Sequence, residues 1–194
     1  MRELGRIVRL QIQRASLKAG QRPYAYYDPT PLLEVTRLLL TPDGACAPGD
    51  DGATIRDIHH ALHPHTRNRN NNSLSFGFTG HYAAMRAEFG PYLNNGIAGE
   101  NILIECPYVV TEAELGAAIV CWGDDGRVVR LGEIIAAPPC VEFTQFALGS
   151  DTPPLPEQIR ATLQFLDCGM RGFYARLEVP AAELRLGDQV FCEP

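Results

Sequence analysis

Val8, Leu10 and Ile12 alternate with Arg9, Gln11 and Gln13 near the start of the chain. Successive side chains on a strand point to opposite faces, so this period of two predicts a half-buried strand. Residues 33–40 predict a second strand, stopped by the turn Thr41-Pro42-Asp43-Gly44. Further strands are expected over 100–105, 117–122, 127–136, 172–179 and 189–192. The loop Gly123-Asp124-Asp125-Gly126 should join two of them as a hairpin. The period changes to helical over 80–89, where Tyr82, Met85 and Phe89 share a face, Thr79 can N-cap and Gly90-Pro91 stops the run. A second helix is predicted over 156–167, with Ile159, Leu163 and Leu166 on one side and Gly169 beyond its end.

Strands outnumber helices, and no strand–helix–strand alternation is visible. Leu115-Gly116, Leu131-Gly132 and Leu186-Gly187 each precede an apolar stretch, as bulges or corners of a curved sheet require. The pattern predicts a mainly β fold with some α: a closed or partly closed β-barrel with two or three covering helices. Residues 45–75 are rich in Asp, Gly, His, Arg and Asn and lack apolar periodicity. A loop of that length is usually functional or disordered, so it is a lid candidate. Residues 150–156 read either as a short linker or as the entry to the second helix.

Composition narrows this only slightly. A length of 194 residues with 45% hydrophobic and 21% charged content fits one globular domain over residues 1–194. The net charge of −6 argues against nucleic acid, whose phosphate backbone demands a cationic surface. No apolar run approaches the roughly 18 residues of a membrane span, and Met1-Arg2-Glu3-Leu4-Gly5-Arg6 has no apolar signal core. The cysteines at 46, 106, 121, 140, 168 and 192 contain no C-x-x-C pair, which favours free thiols in a reducing cytoplasm.

Candidate chemistry begins with Cys140 in Ala137-Pro138-Pro139-Cys140. Two prolines fix φ and remove N–H donors, so the thiol should stand on a stiff loop where the preceding strand ends. A reactive role competes with a buried structural one. In Asn94-Asn95-Gly96-Ile97-Ala98-Gly99-Glu100-Asn101, two glycines permit positive φ and close approach to a ligand. Glu100 and Asn101 would orient a polar ligand, or else cap their own turn. In Cys168-Gly169-Met170-Arg171-Gly172-Phe173-Tyr174-Ala175-Arg176-Leu177, Arg171 can meet an anion, and Arg176 is either a ligand contact or a surface ion pair.

The long loop carries Asp57, His59, His60, His63 and His65, then Arg67 and Arg69. A solvated loop, a metal cluster and anion or cofactor contacts are all compatible with it, with Arg67, Arg69 and His81 as phosphate donors. Asp50 after Gly49 can fix its start. No nucleophile elbow, Walker loop or dinucleotide fingerprint is present.

Taken in order, these segments resemble the MOSC domain family, related to the C-terminal part of molybdenum cofactor sulfurase. Gly96-Ile97-Ala98-Gly99-Glu100-Asn101-Ile102 resembles its G-x-x-G-E-N block. Gly132-Glu133-Ile134-Ile135 through Pro139-Cys140 resembles the strand leading to its Pro-Cys site. Arg171-Gly172-Phe173-Tyr174-Ala175-Arg176-Leu177 with Gly187-Asp188 resembles its closing segment, and Leu38-Leu39-Leu40-Thr41-Pro42-Asp43-Gly44 with Gly49-Asp50 its upstream part. The likeness covers about residues 33–192, and the chain departs from it after Asp50.

The resemblance implies a β-barrel, a pocket for the pterin-based molybdenum cofactor, and Cys140 as sulfur carrier or molybdenum ligand. It makes Gly99, Glu100, Asn101, Arg171 and Arg176 pocket residues, and the anion-contact reading adds Arg67 and Arg69. It further implies small-molecule substrates, N-hydroxylated compounds among them, and a separate protein donating sulfur or electrons. A non-catalytic module that delivers this cofactor or another anionic metabolite is the alternative. A zinc or iron enzyme built on His59 and His63 is a third expectation.

Overall fold

The computed structural model describes residues 1–21, 23–49, 52–149 and 153–193. The Asp50 start of the loop and part of the 150–156 segment lie outside the described residues. The chain opens with β1 (Arg2–Gln13), the short hairpin β2 (Lys18–Ala19) and β3 (Tyr26–Tyr27), β4 (Leu32–Val35) and β5 (Arg37–Thr41). It continues through β6 (Gly44–Pro48), β7 (Thr54–Arg56), β8 (Leu74–Phe78), α1 (Thr79–Phe89), β9 (Ile102–Glu105) and α2 (Glu112–Leu115). Next come β10 (Ala118–Trp122), β11 (Val128–Ala136), α3 (Val141–Leu148) and α4 (Pro156–Leu166). It ends with β12 (Phe173–Leu177), β13 (Ala182–Arg185) and β14 (Gln189–Glu193).

Seven strands close a barrel in the order β14-β10-β11-β12-β8-β9-β1, sealed by the β1–β14 pair. Closure removes free sheet edges. Strand β1 serves three partners along its length: β14 first, then β9, then β4. It turns between them at register shifts, one beside Gly5, where a Cβ would strike the Glu105 carbonyl. The Leu131-Gly132 corner is likewise a bulge in β11, with Glu133 at φ 49. A second sheet, β13-β5-β6-β7, packs alongside.

Several expectations need correction. The 33–40 strand is two strands, because Thr36 separates β4 in the barrel sheet from β5 in the second sheet. A strand–helix–strand unit exists after all, since β8 and β9 are parallel and α1 connects them. Leu74-Ser-Phe-Gly-Phe78 alternates cleanly but runs into the helix with no intervening turn residue. The helix that follows is N-capped by Phe78, not Thr79, whose hydroxyl instead donates to the Cys106 carbonyl at 2.9 Å and accepts its N–H at 3.0 Å. The expectation of two or three covering helices gives way to four among the described residues, with α2 and α3 additional.

The barrel interior is a largely aliphatic cluster that includes Leu10, Ile104, Ile119 and Leu131, with Phe76 and Phe173 stacked 5.3 Å apart. A second cluster, richer in aromatic rings, joins the β2–β3 hairpin, α1, α3 and α4 through Leu17, Tyr27, Tyr82, Phe143 and Leu166. The candidate chemistry sits over this second cluster. No described helix is long and apolar enough to cross a membrane.

Candidate functional site

Strand β11 ends as two prolines interrupt its ladder. Ala137 still donates to Gly172 at 2.9 Å, but Pro138 and Pro139 cannot donate, and the chain leaves the sheet. Cys140 then takes an extended conformation (φ −124, ψ 152) as the N-cap of α3, its carbonyl accepting the Thr144 N–H at 2.9 Å. The thiol is therefore fixed between a strand end and a helix start rather than on a free loop. It is half-buried, while Cys46, Cys106, Cys121 and Cys192 are buried and Cys168 is exposed.

The Gly96–Glu100 turn is shaped by positive φ at Gly96 (84°) and Gly99 (92°). A Cβ on Gly99 would lie 2.6 Å from Leu17 and 2.9 Å from the Gln13 amide, so only glycine fits there. The turn is held from β1. Gln11 donates to the carbonyls of Gly96 and Glu100 at 2.7 and 2.8 Å, and Gln13 donates to that of Gly99 at 2.6 Å. Both glutamines are buried, not on the solvent face that simple alternation predicts.

Glu100 is buried, and Oε2 accepts the Tyr82 hydroxyl at 2.8 Å while Oε1 has no partner among the described residues. Burial raises its pKa above the usual carboxylate range, against the opposing pull of hydrogen bonds and of Arg171.

Arg171 enters from the turn before β12. Gly172 (φ 107) passes so close to β8 that a Cβ would stand 2.7 Å from the Phe76 carbonyl. The guanidinium lies 4.9 Å over the Phe143 ring, a cation–π contact. No carboxylate among the described residues ion-pairs with it. Burial opposes its charge, but Tyr27, Cys140, Tyr174 and Glu100 outweigh that, so its pKa stands above the ordinary value.

The histidine-rich loop is ordered by its own backbone and side-chain hydrogen bonds. Arg67 N–H reaches the Ile58 carbonyl at 2.8 Å, Asn68 donates to the His59 carbonyl at 2.7 Å, and Asn72 accepts the Arg69 N–H at 2.6 Å.

These segments enclose one cavity of about 590 Å³. Its wall includes Gly99, Glu100, Cys140, Arg171, Arg67 and Arg69, together with His59, Tyr27 and Tyr174. That volume is in the range of small-molecule and cofactor sites.

Two expected pocket residues stand elsewhere. Arg176 points out from β12 and pairs with Glu133 at 3.1 Å. Asn101 is buried behind the wall, donating to the Asp57 carboxylate at 3.0 Å and accepting the Ser75 N–H at 3.1 Å. His81 also lies outside the cavity. Its Nε2 sits 3.0 Å from both the N–H and the carbonyl of Val110, and burial lowers its pKa to about 4.

The histidines do not gather into a metal cluster, and the described residues contain no group of three or more His, Cys, Asp and Glu placed for one. Instead Nδ1 of His60 accepts the Leu62 N–H, and Nδ1 of His63 accepts that of His65. Sequence reasoning missed Asp57 as an organiser and Lys18, Tyr27 and Glu142 as wall residues. Lys18 and Glu142 pair at 3.1 Å across the rim. A two-residue strand such as β2 leaves too short a pattern to read.

No family model matches the chain, and no curated protein sequence matches it. Solved structures do. The YuaD protein from Bacillus subtilis is 14% identical, with a TM-score of 0.57 over 95% of this chain and 93% of that one. YiiM from Escherichia coli is 14% identical, with a TM-score of 0.50 over 84% of this chain and 65% of its own. Both are MOSC-type proteins.

The fold is MOSC-like.

A hypothetical protein of known structure is also similar at 15% identity and a TM-score of 0.54, covering 97% of this chain and 67% of that one. The chain thus spans about two thirds of the length of two of these three structures. Identities this low establish shared architecture, and the chemistry has to be argued from the cavity itself.

Proposed function

We propose that this chain binds a pterin-based molybdenum cofactor in the cavity, with Cys140 as metal ligand or sulfur carrier. The observation that carries the reading is the convergence of a half-buried thiol, the guanidinium groups of Arg67, Arg69 and Arg171, and the Gly99–Glu100 turn on one cavity wall.

The residues present suit such a group. A thiolate is a soft ligand fitted to soft metals. Guanidinium groups bind phosphate in bidentate fashion, and Arg171 has no competing carboxylate partner among the described residues. The bare backbone at Gly99 lets a flat ring system approach closely. Glu100, on the cavity wall, keeps Oε1 buried without a partner among the described residues, which a ligand's polar edge could satisfy after a small shift.

When bound, the cofactor would supply two-electron redox chemistry at its metal. The chain's own residues would do the rest. Arg67, Arg69 and Arg171 would hold the phosphate and compensate its charge, Tyr27 and Phe143 would exclude water, and Cys140 would ligate the metal or carry a sulfane sulfur. Reduction of N-hydroxylated compounds is the matching reaction class, with electrons or sulfur from a separate donor protein.

The test is anaerobic purification followed by assay of molybdenum, pterin and cysteine-bound sulfane sulfur. Stoichiometric uptake that fails in Cys140→Ser supports the proposal. A protein that takes up none of the three, with Cys140→Ser behaving like wild type, overturns it. Uptake without turnover on any electron donor assigns a delivery role instead.

A further inference from the structure

His59 is the one histidine of the described loop that lines the cavity, and its ring is held from behind. Asp57 is fully buried. Its Oδ2 accepts the Gln13 N–H at 2.7 Å and the Asn101 amide at 3.0 Å. Its Oδ1 accepts the His59 N–H at 2.8 Å and stands 3.0 Å from His59 Nδ1. A carboxylate ringed by donors is itself only an acceptor, so Nδ1 must carry a proton. In the neutral ring Nε2 then keeps its lone pair, and among the described residues it has no hydrogen-bond partner.

We infer that His59 is the acid–base group of the cavity, exchanging a proton with bound ligand through Nε2, while Asp57 and Asn101 act as positioning residues. The chain Asn101–Asp57–His59 links the residue that follows the Gly96–Glu100 turn to the histidine-rich loop. An imidazole so fixed gives a proton to an anionic or leaving oxygen, or takes one from a ligand N–H or O–H. The inference concerns this chain's residues and holds whichever anionic ligand the cavity takes.

The charged groups facing this cavity allow a clean test. Arg67 and Arg69 on the same loop and Arg171 are the guanidinium groups of the wall. Lys18 is offset by Glu142. Glu100 is the remaining wall carboxyl and needs its own control.

Cofactor-free protein is alkylated with iodoacetate and, separately, iodoacetamide, and modification is read at Cys140 by peptide mass spectrometry. The ratio of the two rates cancels the thiolate fraction and reports the charge of the cavity. We expect the ratio to rise about fivefold as pH falls from about 8 to about 5.5. The rise should vanish in His59→Gln and persist in Glu100→Gln. An unchanged rise in His59→Gln overturns the inference.

Nitrogen-15 NMR of wild type needs no variant. A ring protonated at Nδ1 supports the inference, and one protonated at Nε2 contradicts it. Asp57→Asn should move the population toward the Nε2–H tautomer, and no movement overturns the positioning role. Both measurements use cofactor-free protein, so they stand or fall separately from the cofactor proposal.

Discussion

Leu10, Ile104, Ile119 and Leu131 fill the barrel, while Gln11, Gln13, Asp57 and Asn101 are just as buried beside the cavity. The first group is held by removal of apolar surface from water within an aligned hydrogen-bond ladder. The second group is held by hydrogen bonds of which several reach segments 44 to 90 positions away in sequence. Apolar packing is shared among many neighbours, so the barrel can absorb a modest change. The cavity wall instead relies on a few buried polar groups, each costly to leave unpaired. Stability and site geometry should therefore respond to different substitutions.

The largest effect should come from the barrel. Leu131→Ala is expected to lower stability by about 2–5 kcal/mol in urea unfolding, while Cys140 alkylation in the folded fraction keeps its wild-type rate. Altered Cys140 reactivity in that variant would mean that the two regions are mechanically one.

Acid should act on the barrel flank through His81. Its folded pKa of about 4 lies below the unfolded imidazole value, so the unfolded chain takes up a proton first as pH falls. The stabilisation is complete above about pH 6.5 and is lost toward pH 4, on the order of 3 kcal/mol. Comparing wild type with His81→Gln at pH 7 and pH 4.5 isolates it. A pH dependence unchanged in the variant would assign the acid sensitivity elsewhere.

Asn101→Ala strips donors and acceptors from Asp57, the Gln11 carbonyl and Ser75. It should cost about 1–3 kcal/mol and also alter the His59 tautomer, a double signature that a barrel variant lacks.

The smallest stability effects should come from the two arginines of the closing segment. Arg176→Ala breaks an exposed pair with Glu133 and should stay within about 0.5 kcal/mol of wild type, with phosphate binding intact. Arg171→Ala should weaken phosphate binding about tenfold or more, as expected for loss of a charge-assisted contact. Equal effects of the two on phosphate affinity would place the anion site elsewhere.

The same contrast explains what could be read from the chain. Strands β1 and β12 show as alternation because each presents an apolar face to the barrel, β10 and β11 show as short apolar runs beside glycines, and α4 shows because its apolar stripe follows helical spacing. Gly96 and Gly99 were legible through their demand for positive φ. The helix after Cys140 was not, because Val141-Glu-Phe-Thr-Gln-Phe-Ala-Leu148 is short and follows two prolines that suggest irregular chain. The roles of Asp57 and Gln13 were hidden for a different reason. A polar residue carries no local sign of whether it faces water or a distant backbone carbonyl. Arg171 and Arg176 look alike in sequence, yet the turn at Gly172 sends one into the cavity while strand alternation sends the other outward.

Metal-edge X-ray absorption on the anaerobically reconstituted protein tests the central claim most directly. The account predicts that wild type holds molybdenum, while Cys140→Ser either fails to retain it or lacks one sulfur ligand that wild type has. Identical metal surroundings in the two proteins, or a wild type that binds no molybdenum at all, would contradict it.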